Sequence, residues 1–331
     1  MPVPPPALDS LHGLALGDAF GDRWFHPPVD EASAEVAGRL VRPGPWHWTD
    51  DTAMALVLAR HLHCRGEVEP AAPAREFAAE YLAVPHRKYG PSMHQVLRAV
   101  HAGEDHLAVT GALFGGQGSH GNGAAMRVVP LGAWFADDLG VVAEQAERSA
   151  RATHAHPEAV AGAQAVALAA APAVRSRGGA AASRAEFLRE VAALLPESEV
   201  RSGLRIAARL PAGASVRHAA VVLGSGHPVS AQDTVPFALW SAAGHLDDLI
   251  EALWHTVSGW GDMDTTCAVA AGVVAARTGV VGVPAAWRAA QEPLPALRGA
   301  QRRAPRPNSS AGAPWWRSVS RGTCRRAAGR R

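Results

Sequence analysis

The sequence predicts an all-α protein, built as a single compact domain of many helices. Apolar residues make up 48% of the 331 positions and recur mainly at the three- and four-residue spacing of one helix face. We find no run of four or more residues whose alternation predicts a strand. Charged residues are only 19% of the chain, which is typical of a compact fold rather than of an extended disordered chain.

The clearest helix is predicted for residues 49–65. Its apolar side chains share one face, and Thr49 can cap its first turn. Gly66 can end it, because glycine tolerates the left-handed conformation common just after a helix. Loops are predicted at 172–183 and 211–215. Similar patterns predict further helices at residues 11–20, 72–83, 92–102, 124–136, 139–152, 157–171, 184–195, 203–209, 234–243, 246–258, 264–278 and 284–290.

The distribution of charged residues along the chain predicts that the domain ends near residue 296. Ten of the 32 basic residues lie in residues 297–331, which contain no acidic residue. Residues 1–296 therefore hold 22 basic and 30 acidic residues, a net charge of −8 that does not favour nucleic-acid binding. Residues 297–331 lack apolar periodicity, so we predict a basic, disordered tail that is dispensable for activity.

No targeting segment is predicted. The first ten residues, MPVPPPALDS, have no basic residue ahead of an apolar core, unlike a signal peptide. The longest apolar run, residues 159–174, is rich in alanine and contains Gln164 and Pro172, so no membrane span is expected. Three cysteines without paired spacing indicate a reducing compartment. We expect a cytoplasmic monomer.

Two acidic clusters begin two of the predicted helices. Residues 48–52 read WTDDT, and residues 261–266 read GDMDTT ahead of an almost wholly apolar helix. A helix cap needs one side chain, so capping leaves the second carboxylate and the hydroxyl of each cluster unexplained. Four carboxylates at buried helix starts would repel one another unless cations lay between them. Oxygen ligands without adjacent His or Cys favour Mg²⁺ or Mn²⁺ over Zn²⁺, and this set suffices for two ions.

At these motifs the sequence resembles the ADP-ribosylglycohydrolase family. WTDDT and the later GDMDT match the family's paired acidic motifs, and residues 14–21 (LALGDAFG) resemble its N-terminal GDAxG signature. Residues 114–132 (FGGQGSHGNGAAMRVVPLG) resemble its Gly-rich substrate loop. Residues 153–167 (THAHPEAVAGAQAVA) resemble its His-containing helix start, and residues 89–92 (YGPS) resemble a loop that borders the pocket. The similarity spans about residues 8–296.

The resemblance implies an orthogonal bundle of helices, a dinuclear Mg²⁺ site and cleavage of an ADP-ribosyl linkage in a protein or small molecule. The implied metal ligands are Thr49, Asp50, Asp51, Asp262, Asp264 and Thr265. The implied substrate contacts are Phe114, Ser119, His120, Gly121, Asn122, Gly123 and His154. Among these, the rings of Phe114 and His120 would flank the adenine. Physically, a Gly-rich loop before a helix can bring backbone N–H groups against a diphosphate.

The group that moves the proton stays open at this point. Many family members carry a glutamate a few residues after GDAxG, where this chain has Phe25. Asp22 could replace it, or a metal-bound carboxylate, Asp51 or Asp264, could act as the general base. We predict the latter pair.

Three further residues near the motifs are given supporting roles. Asp18 lies within the first apolar helix, where it is expected to orient metal ligands. Arg127, near the start of an otherwise apolar helix, would form either a buried structural ion pair or a phosphate contact, and we favour the ion pair. His156, just before Pro157, is expected to cap a helix.

Two other functions fit parts of the sequence. A non-catalytic family member that binds ADP-ribose or has a structural role is favoured by Phe25 and disfavoured by the complete set of ligand positions. A nucleotide-sugar glycosyltransferase would use Asp262 and Asp264 as its metal motif, but that chemistry usually lies on a parallel sheet. The sequence predicts no such sheet.

Overall fold

The computed structural model describes residues 2–297, and every regular element within them is a helix. The predicted all-α fold is confirmed, and the glycosyltransferase alternative loses the sheet on which it depends. The β-type pairings in this range are two isolated bridges, Trp46 with Gln291 and Gly121 with Ser230. The predicted basic tail lies outside the described residues, apart from Leu297, which packs against the core. The α-helices described are α1 (Pro5–Asp22), α2 (Val29–Gly38), α3 (Asp50–Arg65), α4 (Ala72–Ala83), α5 (Pro91–His101), α6 (His106–Gly116), α7 (Val129–Trp134), α8 (Leu139–Arg151), α9 (Pro157–Arg175), α10 (Arg184–Ala193), α11 (Glu199–Ala207), α12 (Val216–Leu223), α13 (Ala231–Gly244), α14 (Leu249–Val257), α15 (Met263–Thr278) and α16 (Ala285–Ala290).

Helices rich in alanine and glycine form the centre of the fold. α15 packs against α1, α9, α13 and α14, and nearly all of its side chains are buried. α9 is long and apolar enough, by length and composition alone, to cross a bilayer, but 72% of that stretch is buried within the protein. Such burial is expected of a core helix that is apolar on all sides.

A glycine seam brings α1 unusually close to α15. Gly13, Gly17 and Gly21 lie one turn apart on α1, and a Cβ atom at any of them would lie 2.6 Å or less from a backbone oxygen of α15. Only glycine permits this approach. The seam sets Asp18 of α1 among the carboxylates at the starts of α3 and α15.

α4 and α5 form a smaller apolar cluster beside α3. Phe77 of α4 and Val96 of α5 are fully buried in it, together with Met54 of α3. The connection between the two helices, residues 84–90, therefore lies near the first turn of α3, where Arg87 donates to the backbone oxygen of Trp48 at 2.8 Å.

Some predicted helix limits were wrong, chiefly where proline or glycine intervenes. The segment 124–136 contains a 3₁₀ turn (Asn122–Ala124) and then α7, because Pro130 lacks an amide hydrogen and disfavours helical geometry just before it. α9 runs through Pro172 to Arg175, which the sequence assigns to a loop. α2, α6 and α12 lie where no helix is predicted. α6 also leaves helical geometry at Leu113, so its regular part is short.

Candidate active site

The two acidic helix starts line a single cavity of about 450 Å³, hereafter the main cavity. The Gly-rich loop forms another wall, and residues 90–93 of the α4–α5 region complete the rim. Of the thirteen predicted site residues, all but Thr49 line it. The twelve are Asp50, Asp51, Phe114, Ser119, His120, Gly121, Asn122, Gly123, His154, Asp262, Asp264 and Thr265. These twelve residues remain predicted site residues, and the structure shows that they line one cavity.

The start of α3 is supported from beneath by Asp18. Thr49 caps the helix as predicted: its hydroxyl accepts from the amide of Asp51 at 3.4 Å. The same hydroxyl donates to Asp18 at 2.9 Å, and the amide of Thr49 donates to Asp18 at 2.9 Å. Thr52 adds its amide at 3.1 Å and its hydroxyl at 2.5 Å. Asp18 thereby orients the hydroxyl of Thr49, which does not line the main cavity in this arrangement.

The start of α15 is tied to the Gly-rich loop instead. The side-chain amide of Asn122 donates to Asp262 at 2.6 Å and to the hydroxyl of Thr234 at 3.0 Å. Asp264 accepts from the amide of Thr265 at 2.8 Å. Gly261, with φ of 81°, turns the chain into the helix, and a side chain there would collide with the backbone of Ser225. The loop and α15 therefore share one hydrogen-bonded connection.

Burial raises the pKa of every carboxylate in this cluster. It raises the pKa of Asp18 to about 6, and together with the charge of Asp18 it raises that of Asp50 to about 8. The pKa values of Asp51 and Asp264 lie well above the ordinary range, through burial and then through Asp18 and Asp262 respectively. Burial also raises the pKa of Asp262. Such carboxylates stay ionised only if a positive charge joins them.

The donor set fits a divalent cation. Among the described residues no three His, Cys, Asp or Glu side chains stand close enough to hold an ion as they are. Yet Oδ2 of Asp51 is buried and accepts no hydrogen bond, which leaves one carboxylate oxygen unsatisfied in the cluster. All the candidate ligands are oxygen atoms, the preference of Mg²⁺ and Mn²⁺. An ion would therefore require these carboxylates to turn toward it.

The Gly-rich loop is held on both sides. Gly115, Gly116 and Gly118 have positive φ angles of 70°, 89° and 76°, which lets the chain curve along the cavity. Beyond them the backbone oxygen of His120 accepts from the amide of Ala231 at 2.9 Å. This hydrogen bond belongs to the isolated bridge between Gly121 and Ser230, which joins the loop to the start of α13.

His154 and Arg127 brace the far end of the loop. His154 bonds the hydroxyl of Thr153 at 2.8 Å, and its other ring nitrogen lies beside Gly121 and Gly123. Burial, and then Arg127, lower the pKa of His154 to about 3, so its ring is neutral at physiological pH. Arg127 is fully buried and donates to the backbone oxygens of Ser149 at 2.6 Å and Gly123 at 3.2 Å. It does not line the cavity, which favours a structural contact over a phosphate contact, but its partners are backbone oxygens and the Thr153 hydroxyl and not the carboxylate of the predicted ion pair.

Two aromatic rings stand at the outer part of the loop. Phe114 and His120 are near-parallel, with ring centroids 6.5 Å apart and an angle of 22° between planes. Phe114 has a φ of 52° and is 64% exposed, so its ring is open to a partner. His156 contacts His120 edge-on and caps α9 by accepting from the amide of Glu158 at 3.1 Å, which confirms its predicted cap.

A second cavity of about 440 Å³, hereafter the side cavity, adjoins the acidic cluster. Thr49 and Asp22 line it, whereas Phe25 lines neither cavity and is 44% exposed. Asp22 is paired with Lys88, which lines both cavities. Sequence reasoning missed Lys88, although it directly precedes the YGPS motif. It also missed Val229, which only the bridge to the loop brings to the main cavity.

The sequence profile of the ADP-ribosylglycohydrolase family matches residues 6–308. The chain belongs to this family.

Individual relatives agree with the assignment. This family member is 27% identical over 319 residues to ADP-ribosylhydrolase ARH3 of Homo sapiens, covering 84% of this chain and 86% of that protein. It is 33% identical over 291 residues to an uncharacterized protein of Archaeoglobus fulgidus, covering 83% and 88%. A solved ADP-ribosylglycohydrolase-related protein complex superposes with a TM-score of 0.58 at 24% identity, covering 87% of this chain and 92% of that one. That likeness establishes the fold.

Proposed function

We propose that this protein is a Mg²⁺-dependent hydrolase that cleaves an ADP-ribosyl glycosidic linkage, in an ADP-ribosylated protein or another ADP-ribose conjugate. One observation carries the proposal: four carboxylates from two helix starts, buried in α3 and half-buried in α15, share a cavity with a Gly-rich loop that is hydrogen-bonded to one of them. Relatives named ADP-ribosylhydrolase ARH3 support the same reaction class.

The order of groups along the loop supports the orientation of the substrate. The rings of Phe114 and His120 offer two faces to an adenine. The backbone around Ser119, His120 and Gly123 suits the diphosphate, because a glycine-rich chain can approach its oxygens closely. The amides of Gly121 and Asn122 already donate to Oγ of Ser119 and to the backbone oxygen of Val229. Asn122 then reaches Asp262, so the distal ribose would lie at the acidic cluster. In this orientation the bond to be cleaved would lie beside the carboxylates.

We assign two Mg²⁺ ions, replaceable by Mn²⁺, to the oxygen atoms of Thr49, Asp50, Asp51, Asp262, Asp264 and Thr265. Bound there, Mg²⁺ would neutralise the carboxylates, provide a template for the ribose hydroxyls and lower the pKa of a water molecule. Burial of Asp50 and Asp51 limits the access of water to them, and Asp18 holds Thr49 in one orientation.

Asp51 and Asp264 are the residues that we assign to proton transfer. Oδ2 of Asp51 has no hydrogen-bond partner, so it can accept a proton from the attacking water. Hydrolysis then joins the water oxygen to the anomeric carbon and breaks the bond to the linked group. The proton taken by the carboxylate passes to the departing atom, which leaves the carboxylate ionised for the next cycle.

Phe25 favours one alternative, a family member that binds ADP-ribose without cleaving it. A phenyl ring has no acidic group to replace the glutamate that the family resemblance leads us to expect here. The ring is also exposed and lines neither cavity. Asp22 is not free to replace that glutamate, because its carboxylate accepts a hydrogen bond from Lys88.

The test is release of free ADP-ribose by the full chain. Serine- and arginine-linked ADP-ribosyl peptides are incubated with Mg²⁺, and the products are separated by liquid chromatography. We expect release by the wild type and its near-complete loss in Asp262→Asn. Full activity in Asp262→Asn would contradict the metal assignment. Absence of release together with calorimetric binding of ADP-ribose would favour the non-catalytic alternative.

A further inference from the structure

The main cavity and the side cavity meet at Lys88. Thr49 lines the side cavity, Asp50 and Asp51 line the main cavity, and Lys88 lines both. Of the 32 Lys and Arg residues in the chain, Lys88 is the only lysine. The flexible side chain of Lys88, with its terminal ammonium group, therefore lies between the acidic cluster and the side cavity.

Backbone and ion pair both restrain Lys88 at this junction. Its φ of 65° lies in the left-handed region, which a residue other than glycine adopts only when its surroundings hold it there. Its Nζ donates to Oδ1 of Asp22, a residue that is 6% exposed, and lies 3.3 Å from Nε2 of His26. The ammonium group is therefore attached to α1, the helix that also carries Asp18.

The carboxylates of the side cavity already have partners. Glu292 accepts from Arg87 at 2.6 and 2.8 Å and contacts His47 at 3.1 Å. Asp22 is paired with Lys88. Among the described residues that line the side cavity, no unpaired carboxylate is left to receive a cation.

The linked group of the substrate would lie near this junction. This step rests on the proposed function: with the distal ribose at the acidic cluster, a group attached to its anomeric carbon would extend toward Lys88, which lines both cavities. A guanidinium group there would lie beside an ammonium group and find no free carboxylate, which is unfavourable in a partly buried site. A hydroxyl-linked group carries no charge, and its oxygen can accept a hydrogen bond from Nζ of Lys88.

We propose that Lys88 is a specificity-determining residue, which disfavours conjugates linked through arginine and favours conjugates linked through a hydroxyl oxygen such as that of serine.

The experiment compares wild type, Lys88→Met and Lys88→Arg on two peptides that differ only in a serine-linked or arginine-linked ADP-ribose, with Mg²⁺ present. We expect the wild type to have the higher kcat/KM on the serine-linked peptide. In Lys88→Met this preference should fall about tenfold, because a partly screened charge repulsion is removed. Lys88→Arg retains the charge and should retain the preference. A wild type that prefers the arginine-linked peptide, or equal changes on both peptides in Lys88→Met, would overturn the proposal.

Chemical modification provides a second measurement that does not depend on folding of a variant. Acetylation of amines neutralises Lys88 in the folded wild type, and the lysine-free Lys88→Arg protein controls for modification of the N-terminal amine. Acetylated wild type should lose the serine preference as Lys88→Met does, while acetylated Lys88→Arg keeps it.

The outcomes also separate this proposal from the proposed function. If the wild type releases ADP-ribose from neither peptide, hydrolysis of these linkages is refuted. Calorimetric binding of the two intact peptides to wild type and Lys88→Met then decides the role of Lys88. Tighter binding of the serine-linked peptide that is lost in Lys88→Met would support it, and equal binding of both peptides to the wild type would refute it.

Discussion

The starts of α3 and α15 have similar compositions, each with two aspartates and a threonine, yet the fold holds them in different ways. The start of α3 is bonded to Asp18, which accepts four hydrogen bonds from Thr49 and Thr52. The start of α15 is bonded to Asn122, a residue of the Gly-rich loop. Both helix starts therefore contact α1, but only the α3 half is hydrogen-bonded to it; the α15 half packs against Gly21 of α1 and is hydrogen-bonded to the predicted substrate loop.

Because of this difference, we expect the starts of α3 and α15 to have different roles although their residues are chemically similar. Asp18 is fully buried on α1 and accepts hydrogen bonds from Thr49 and Thr52, so the α3 half is positioned before any ligand arrives. Movement of the Gly-rich loop, in contrast, is transmitted to Asp262 by one hydrogen bond. Changes beneath α3 should therefore alter stability and metal binding, and changes in the loop should alter substrate binding.

Asp51→Asn should have the largest effect on activity. We expect kcat/KM for an ADP-ribosyl substrate to fall about 1000-fold, because loss of a metal contact removes several kcal/mol of transition-state stabilisation. In metal-free protein the same change should raise the Tm, since burial and Asp18 make an ionised carboxylate unfavourable there. Steady-state kinetics and calorimetry in EDTA measure the two effects.

The matched control for this change is Asp138→Asn. Asp138 caps α8 by accepting from two amides at 2.9 and 3.1 Å and lines neither cavity. Asparagine caps a helix about as well, so activity and Tm should stay near wild type. A lowered Tm of metal-free Asp51→Asn would show that its carboxylate is not under repulsion.

Asp18→Ala should have the next largest effect, and it tests the α3 half. The change leaves four buried donors without an acceptor, so we expect a loss of about 3–5 kcal/mol in the free energy of unfolding. Activity should fall about 10- to 100-fold, as is typical when a group that orients a metal ligand is lost. Urea unfolding and kinetics measure both.

Asp9→Ala on the same helix is the control for Asp18→Ala. Asp9 forms an ion pair with Arg177 in which both side chains are 30% exposed, so its loss should cost less than about 1 kcal/mol. If the two variants were equally stable, Asp18 would not be the support of α3.

Asn122→Ala tests the α15 half with a smaller expected effect. Without its bonds to Asp262 and Thr234 the loop is held less firmly, and KM should rise about tenfold, the equivalent of one hydrogen bond to a charged group. The kcat should change less, because the carboxylates themselves remain. A fall in kcat as large as that of Asp51→Asn would place Asn122 in the chemical step instead.

Mg²⁺ should raise the Tm by the smallest amount, about 3 °C at ten times its Kd, since a ligand that binds only the folded state stabilises it. Differential scanning calorimetry with Mg²⁺ and then EDTA measures the shift. We expect Asp18→Ala to lose it and Asn122→Ala to keep it. The reverse result would mean that the loop, and not α1, prepares the metal site.

Local sequence signals predicted much of the fold. The limits of α3 follow from apolar spacing, from the cap at Thr49 and from Gly66, which has the expected positive φ of 81°. The cap at His156 is likewise found as predicted. These features depend on interactions within one or two turns, which a single segment encodes. α2 was missed because its buried face consists of only Ala32 and Val36, too weak a pattern to distinguish from a loop.

The sequence by itself determined the helical character of this protein and the chemical groups of the candidate site, since helix spacing, caps and acidic motifs are local patterns. The tertiary structure alone decided which of those groups meet. Thr49 bonds to Asp18 because α1 packs beside the start of α3, and Lys88 reaches Asp22 across 66 positions of the chain. Such contacts depend on the packing of distant helices, and no local pattern in either partner specifies them.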